Sequence, residues 1–252
     1  MRIEILNRIS LEINDLNYPL SAKNIFIADV TGRDSIAALI KTIEIYSPNF
    51  VIPSVIVLGC EFGNKDQPHK TIYKISEIYK NTQTQILPGI LLDVNQFWKL
   101  FIAKEINSTV DKYKFFSPCI ACHLIMHLAR IKLAHYLKAS NVISGEREFH
   151  ADRQKINQLD FVLDFYNKIY SAAGINHHTP IRHIKENDKI NEIVYKSGAV
   201  AIELDCLFSG TYYDGSGKIT FDKNDIQDYV QTHLTSLMNS FSESIVINCI
   251  IL

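Results

Sequence analysis

The chain reads as an α/β protein with a parallel sheet covered by helices on both faces, and three observations carry that reading. Short apolar, β-branched runs bounded by Gly or Pro recur at residues 24–30, 51–59 and 141–144, as strands buried on both faces require. Amphipathic stretches with helical spacing alternate with them. Polar or reactive residues follow the strand ends, at 31–35, 59–61 and 144–147, so three segments deliver chemistry to one rim of the sheet.

Taken in order, residues 24–30 form the first strand and meet a helix marked by Ile36, Leu39, Ile40 and Ile43. Residues 51–59 give a second buried strand and 68–80 a second helix. Residues 85–93 read as a third strand, bent by Pro88 and Gly89. A helix over 94–106 carries the lone Trp98, and 120–138 is the longest helix. A short strand at 141–144, a helix at 159–173, an extended stretch at 179–184 and a helix at 187–195 ending near Gly198 complete the pattern. His177 and His178 fall in a polar loop. Residues 1–22 read as a small N-terminal addition, 23–215 as the main domain, and 216–252 as a C-terminal helix and strand.

At 252 residues the chain can bury a sizeable core. A net charge of −1 with 21% charged residues excludes a global polycation built for nucleic acid. No apolar run is long enough to cross a bilayer and the N-terminus lacks a signal-peptide core, so a cytoplasmic, reducing setting and no membrane partner are expected. Five cysteines there are buried thiols, metal ligands or catalysts.

The stretch Phe26-Ile27-Ala28-Asp29-Val30-Thr31-Gly32-Arg33-Asp34-Ser35 runs a strand into a tight turn and then a helix. That geometry aims backbone N–H groups and a helix N-terminus at an anion. Gly32 allows close approach of a phosphate, Ser35 caps the helix or touches phosphate, and Asp34 assists a metal. Gly, Asp and Ser at such a turn also serve plain capping chemistry.

Cys119 and Cys122, in Ser117-Pro118-Cys119-Ile120-Ala121-Cys122-His123, sit at the start of the longest helix, whose N-terminus favours thiolates. Two thiols at this spacing can face one metal, and the remaining ligand comes from Cys206 or else Cys60. A redox dithiol or plain buried cysteines are the other readings. Cys249 lies in an apolar run and reads as a small buried side chain. A zinc site of Cys119, Cys122, His123 and Cys206 is a further alternative. Arg147, His150 and Arg153 either meet an anionic substrate or form a solvated helix face.

Together these residues resemble the PP-loop (N-type) ATP pyrophosphatase superfamily, whose motif after the first strand is Ser-Gly-Gly-x-Asp-Ser. Val30, Thr31, Gly32, Arg33, Asp34 and Ser35 fall on those six positions; Gly32, Asp34 and Ser35 are kept, while the first Ser and Gly are replaced. Ser144-Gly145-Glu146 with Asn157-Gln158 is similar to a Thr-Gly-Glu…Gln segment of tRNA-thiolating members, and Pro180-Ile181-Arg182 looks like their Arg-Pro-Leu stretch. Cys119, Cys122 and Cys206 resemble the three-cysteine set of the iron–sulfur members. The resemblance implies a Rossmann-like (HUP-type) fold and ATP with Mg²⁺ bound by residues 30–35, Gly145 and Glu146. It further implies Cys119, Cys122 and Cys206 holding a 4Fe-4S cluster (or Zn²⁺), or acting with Asp34 as catalytic groups. The implied reaction adenylates a carbonyl oxygen and replaces it with sulfur. Implied partners are ATP, a tRNA or small-molecule acceptor, a sulfur-donor protein or sulfide, and a second copy of the chain as a homodimer. An amide-forming or sulfur-transferring ligase on a small molecule, and a non-catalytic nucleotide- or metal-binding protein, stay open as alternatives.

Overall fold

A computed structural model describes residues 24–63, 67–116, 118–151, 153–199, 205–243 and 248–251. It is α/β, with a mostly parallel sheet between two helical layers. Strand β1 (Ile25–Asp29) leads into α1 (Arg33–Tyr46), and β2 (Phe50–Val57) into a short β3 (Glu61–Phe62) and α2 (Gln67–Tyr79). The third strand is broken as its Pro-Gly pair requires: β4 (Gln85–Ile86) and β5 (Ile90–Asp93) pair with successive parts of β2. The helix expected over 94–106 is shorter, α3 (Asn95–Phe101), with a 3₁₀ turn and α4 (Ile106–Tyr113) after it. Helix α5 (Cys119–Leu137) precedes β6 (Asn141–Ile143), α6 (Asp160–Ala172), β7 (Asn176–His178) and α7 (Asn187–Ser197).

His177 and His178 therefore belong to a strand, because β7 pairs in parallel with β6 where a loop was expected. The extended reading of 179–184 also gives way: residues 180–183 form a turn. Strand β8 (Asp205–Cys206) pairs antiparallel with β3, placing Cys206 beside Glu61. Helices α8 (Lys223–Asp228) and α9 (Leu234–Glu243), joined by a π-helical turn, precede β9 (Asn248–Ile251), an antiparallel neighbour of β5. Residues 1–22, expected as an N-terminal addition, lie outside the described residues.

The strand order is β7-β6-β1-β2-β5-β9. Counting the parallel strands by appearance in the chain, with β4 and β5 as one broken strand, this is fifth-fourth-first-second-third. The connections leave in opposite directions from β1, which opens a crevice beyond the carboxyl ends of β1 and β6. Side chains alternate across the sheet. Ile25 and Ile27 face a core shared with α3, α5 and α6, while Phe26 and Ala28 face one shared with α1, α2 and α7. Ile226, Tyr229, Val230, Leu234 and Leu237 pack into the first of these cores, so the C-terminal helices are built onto the sheet. Among the described residues no helix is long and apolar enough to cross a membrane.

Candidate active site and metal centre

A cavity of about 330 Å³ lies at that crevice. Thr31, Gly32, Arg33, Asp34 and Ser35 line it, as do Gly145 and Glu146 and all of Cys60, Cys119, Cys122 and Cys206. The turn and the thiols, from 25 to more than 170 positions apart in the chain, thus share one space. Val30 does not join them; it is buried against the core of α1, because it continues the inward face of β1.

The turn is held by its own side chains. The Asp29 carboxylate accepts the Thr31 N–H at 3.1 Å and the Thr31 hydroxyl. Ser35 Oγ donates to the Gly32 carbonyl at 2.7 Å and accepts the Gly32 N–H at 2.9 Å, so the hydroxyl of Ser35 caps α1. Asp34 lies 3.3 Å from Arg33 and 3.4 Å from both Arg147 and His150. Gly145 packs directly on this turn: a Cβ there would sit 2.3 Å from Ser35 N. Only glycine permits that approach of backbone to backbone.

Arg147 is fully buried and donates to the Ile184 carbonyl at 3.3 Å and to Asn187 Oδ1 at 2.7 Å. The solvated helix face expected around Arg147, His150 and Arg153 is replaced by an irregular loop whose arginine clamps it to the start of α7. Burial lowers the pKa of His150 to about 4.

Helix α5 presents one face to the cavity. Cys119, Cys122, His123, Met126, His127 and Arg130 recur at intervals of three or four residues. Arg130 is buried and reaches under the turn, with its Nη2 2.7 Å from Asp29 Oδ1 and its Nε donating to Ser54 Oγ at 3.2 Å. The first of these contacts is an ion pair whose angle is too poor for a directed hydrogen bond.

The thiols meet around Cys60. Its sulfur lies 3.9 Å from Cys122 Sγ, and Trp98 Nε1 donates to Cys122 Sγ at 3.2 Å. Two thiolates on one zinc at ~2.3 Å each are ~3.8 Å apart in tetrahedral geometry, so Cys60 and Cys122 already stand at ligand spacing. Cys206 is brought to Cys60 by the β3–β8 pairing and by the Leu207 N–H donating to the Cys60 carbonyl at 2.9 Å. Cys119 turns toward the Phe208 carbonyl, 3.7 Å away. Contact with Cys122, together with burial, pushes the Cys60 thiol up; contact with Cys60 does the same to Cys206. Beside them burial raises the Glu61 carboxyl to about 7.

The second set of candidate metal ligands is His123, His127 and Glu146, whose donor atoms lie within 4.8 Å of one another. Glu146 Oε1 is 2.8 Å from His123 Nδ1 and 3.2 Å from His127 Nε2. Burial alone would raise the Glu146 pKa, but the two facing imidazoles hold it well below the ordinary value. Burial lowers that of His127. The structure thus offers a His/His/Glu group beside four cysteines. Sequence reading missed His127, although His-x₃-His on a helix puts both rings on one face. It also missed the roles of Asp29 and Arg130, which carry no spacing signal, while Glu61 belongs to the 59–61 segment expected at this rim.

No family model matches the chain. Over 212 residues it is 34% identical to the uncharacterized protein MJ0009 of Methanocaldococcus jannaschii, a stretch covering 82% of this chain and 75% of that protein.

Proposed function

As a chain that belongs to the family of the uncharacterized protein MJ0009, we propose that this protein is an ATP-using sulfur-transfer enzyme of the PP-loop kind. The observation carrying the proposal is the shared cavity, which the strand–turn–helix segment at 31–35 and four thiols line together. The strand order supports it, since ligands of such sheets bind where the order reverses, here between β1 and β6.

In this reading the first-turn N–H groups of α1 receive the phosphates of ATP, which arrives with its Mg²⁺. A carbonyl oxygen of the acceptor attacks the α-phosphorus and pyrophosphate leaves. A sulfur nucleophile then forms the bond to carbon and AMP departs, so the oxygen leaves on the nucleotide. Gly145 keeps the turn closed, and Lys155 and Arg33 add positive charge at the cavity wall. Cys60, Cys119, Cys122 and Cys206 are a soft donor set that fits an iron–sulfur cluster or zinc. A 4Fe-4S cluster held by three of them would leave one iron open for sulfide; without a cluster, two of the same thiols serve as a persulfide pair. The cavity suits a small molecule or one extruded base, and the near-neutral charge favours the small molecule.

Calorimetry with Mg·ATP tests the nucleotide half. Binding is expected for the wild type and at least tenfold weaker for Gly145→Ala, whose methyl overlaps Ser35 N. A folded wild type that ignores ATP overturns the proposal. Pyrophosphate release with and without bulk tRNA then separates the two acceptor classes. Anaerobic purification with metal analysis reads the thiol half: iron with sulfide supports a cluster, whereas a metal-free sample assigns the thiols to persulfide chemistry.

A further inference from the structure

The thiols do not account for the His/His/Glu group. Its three donors come from two elements, consecutive turns of α5 and the loop after β6, and they converge with no cysteine sulfur among them. The separations of 2.8 and 3.2 Å match the edges of a coordination shell. Bonds of ~2.1 Å to nitrogen or oxygen place neighbouring ligands ~3.0 Å apart in an octahedron and ~3.4 Å in a tetrahedron.

Each ligand is also held from behind, as ligands of metal sites are. Tyr170 Oη lies 3.1 Å from His127 Nδ1, and Asn157 Nδ2 lies 3.0 Å from His123 Nε2. A hydroxyl and a side-chain amide can each present either a donor or an acceptor, so both rings can turn a bare nitrogen lone pair toward Glu146. Gln158 Nε2 donates to Glu146 Oε2 at 2.8 Å, leaving Oε1 for the shared centre. His127 is 1% and Glu146 6% exposed, whereas all three ligands reach the cavity wall.

We propose that His123, His127 and Glu146 bind one divalent first-row transition-metal ion of the zinc, iron or cobalt class, distinct from any metal on the cysteines. Three protein ligands leave a coordination position open, and the cavity is what it opens onto. The group that takes this position is water or a carbonyl or phosphoryl oxygen of the bound substrate, which the ion polarises as a Lewis acid. The site is independent of the sulfur-transfer reading, since it requires neither ATP nor a cluster.

Anaerobic titration of the reduced, metal-free full-length protein with Co²⁺ tests it, because sulfur ligation gives strong near-ultraviolet charge-transfer bands and nitrogen–oxygen ligation gives only weak visible bands. The Cys60→Ser/Cys119→Ser/Cys122→Ser/Cys206→Ser variant is expected to bind one Co²⁺ per chain with visible bands alone. In the wild-type background His123→Ala and Glu146→Gln should lose that component, with Kd weakened at least tenfold and the sulfur component retained. Asn157→Ala should weaken it by roughly ten- to a hundredfold. Should the fourfold variant fail to fold, the two single variants decide, with circular dichroism verifying their fold. The proposal is overturned if wild-type Co²⁺ binding is entirely thiolate in character, or if folded His123→Ala and Glu146→Gln bind as much Co²⁺ as the wild type.

Discussion

Arg130 shows how one buried charge can organise a site. It rises from the middle of α5 to the Asp29 carboxylate at the end of β1, and the same carboxylate anchors Thr31. Removing one member of a buried pair leaves the other charge without compensation. Asp29→Asn is therefore expected to lower stability by about 3 kcal/mol in urea denaturation, the low end of the range because the Asp29 side chain is 15% exposed. Adding Arg130→Met should restore most of that loss. A single variant as stable as the wild type would show that the pair does not hold the turn. Neither residue stood out in the sequence, because an Asp at a strand end and an Arg on a helix are ordinary. Gly32, Asp34, Ser35 and the Cys-x₂-Cys pair did stand out, since spacing and residue type mark them, and Gly145 stood out through the resemblance.

Helix ends were legible in part. Gly198 closes α7 with φ of 75°, in the left-handed region that glycine enters freely, and the sequence marked it as a stop. Helix α5 ends without such a signal: Lys138 holds φ of 54° at its C-terminus, where a Cβ is strained. Lys138→Gly is expected to gain about 0.5–1 kcal/mol in a chemical denaturation curve, and Gly198→Ala to lose a similar amount. Equal stabilities for Lys138→Gly and wild type would mean that the lysine's stem recovers the strain. The β3–β8 pairing was the least legible element, because two-residue strands carry no periodicity. It nevertheless brings Cys206 to Cys60, and with that it assembles the thiol group.

For the whole molecule, two half-buried histidines contribute to the acid limit. Burial lowers the pKa of both His178, packed on Phe26 and Tyr46, and His233, stacked on Tyr229. In the unfolded chain each titrates near 6.5, so below that pH the unfolded state binds more protons than the fold. Their contribution is fully present above pH 6.5 and is lost as pH falls through the depressed folded values. The melting temperature is expected to drop between pH 7 and 5, and His178→Gln/His233→Gln to flatten that slope. An unchanged slope in the double variant would assign the acid limit to other groups.

The sequence by itself determined the alternation of strands and helices, the turn at 31–35 and the paired thiols at 119 and 122, because these are written in local spacing and residue type; the close packing of Gly145 on Ser35 is a tertiary contact. The tertiary structure alone decided the strand order, the meeting of Cys60 with Cys122 and Cys206, the buried reach of Arg130 to Asp29, and the convergence of His123 and His127 on Glu146. Those contacts join residues 19 to 146 positions apart, and only the packing of α5 against the sheet and the β3–β8 pairing bring such distant groups within reach of one another.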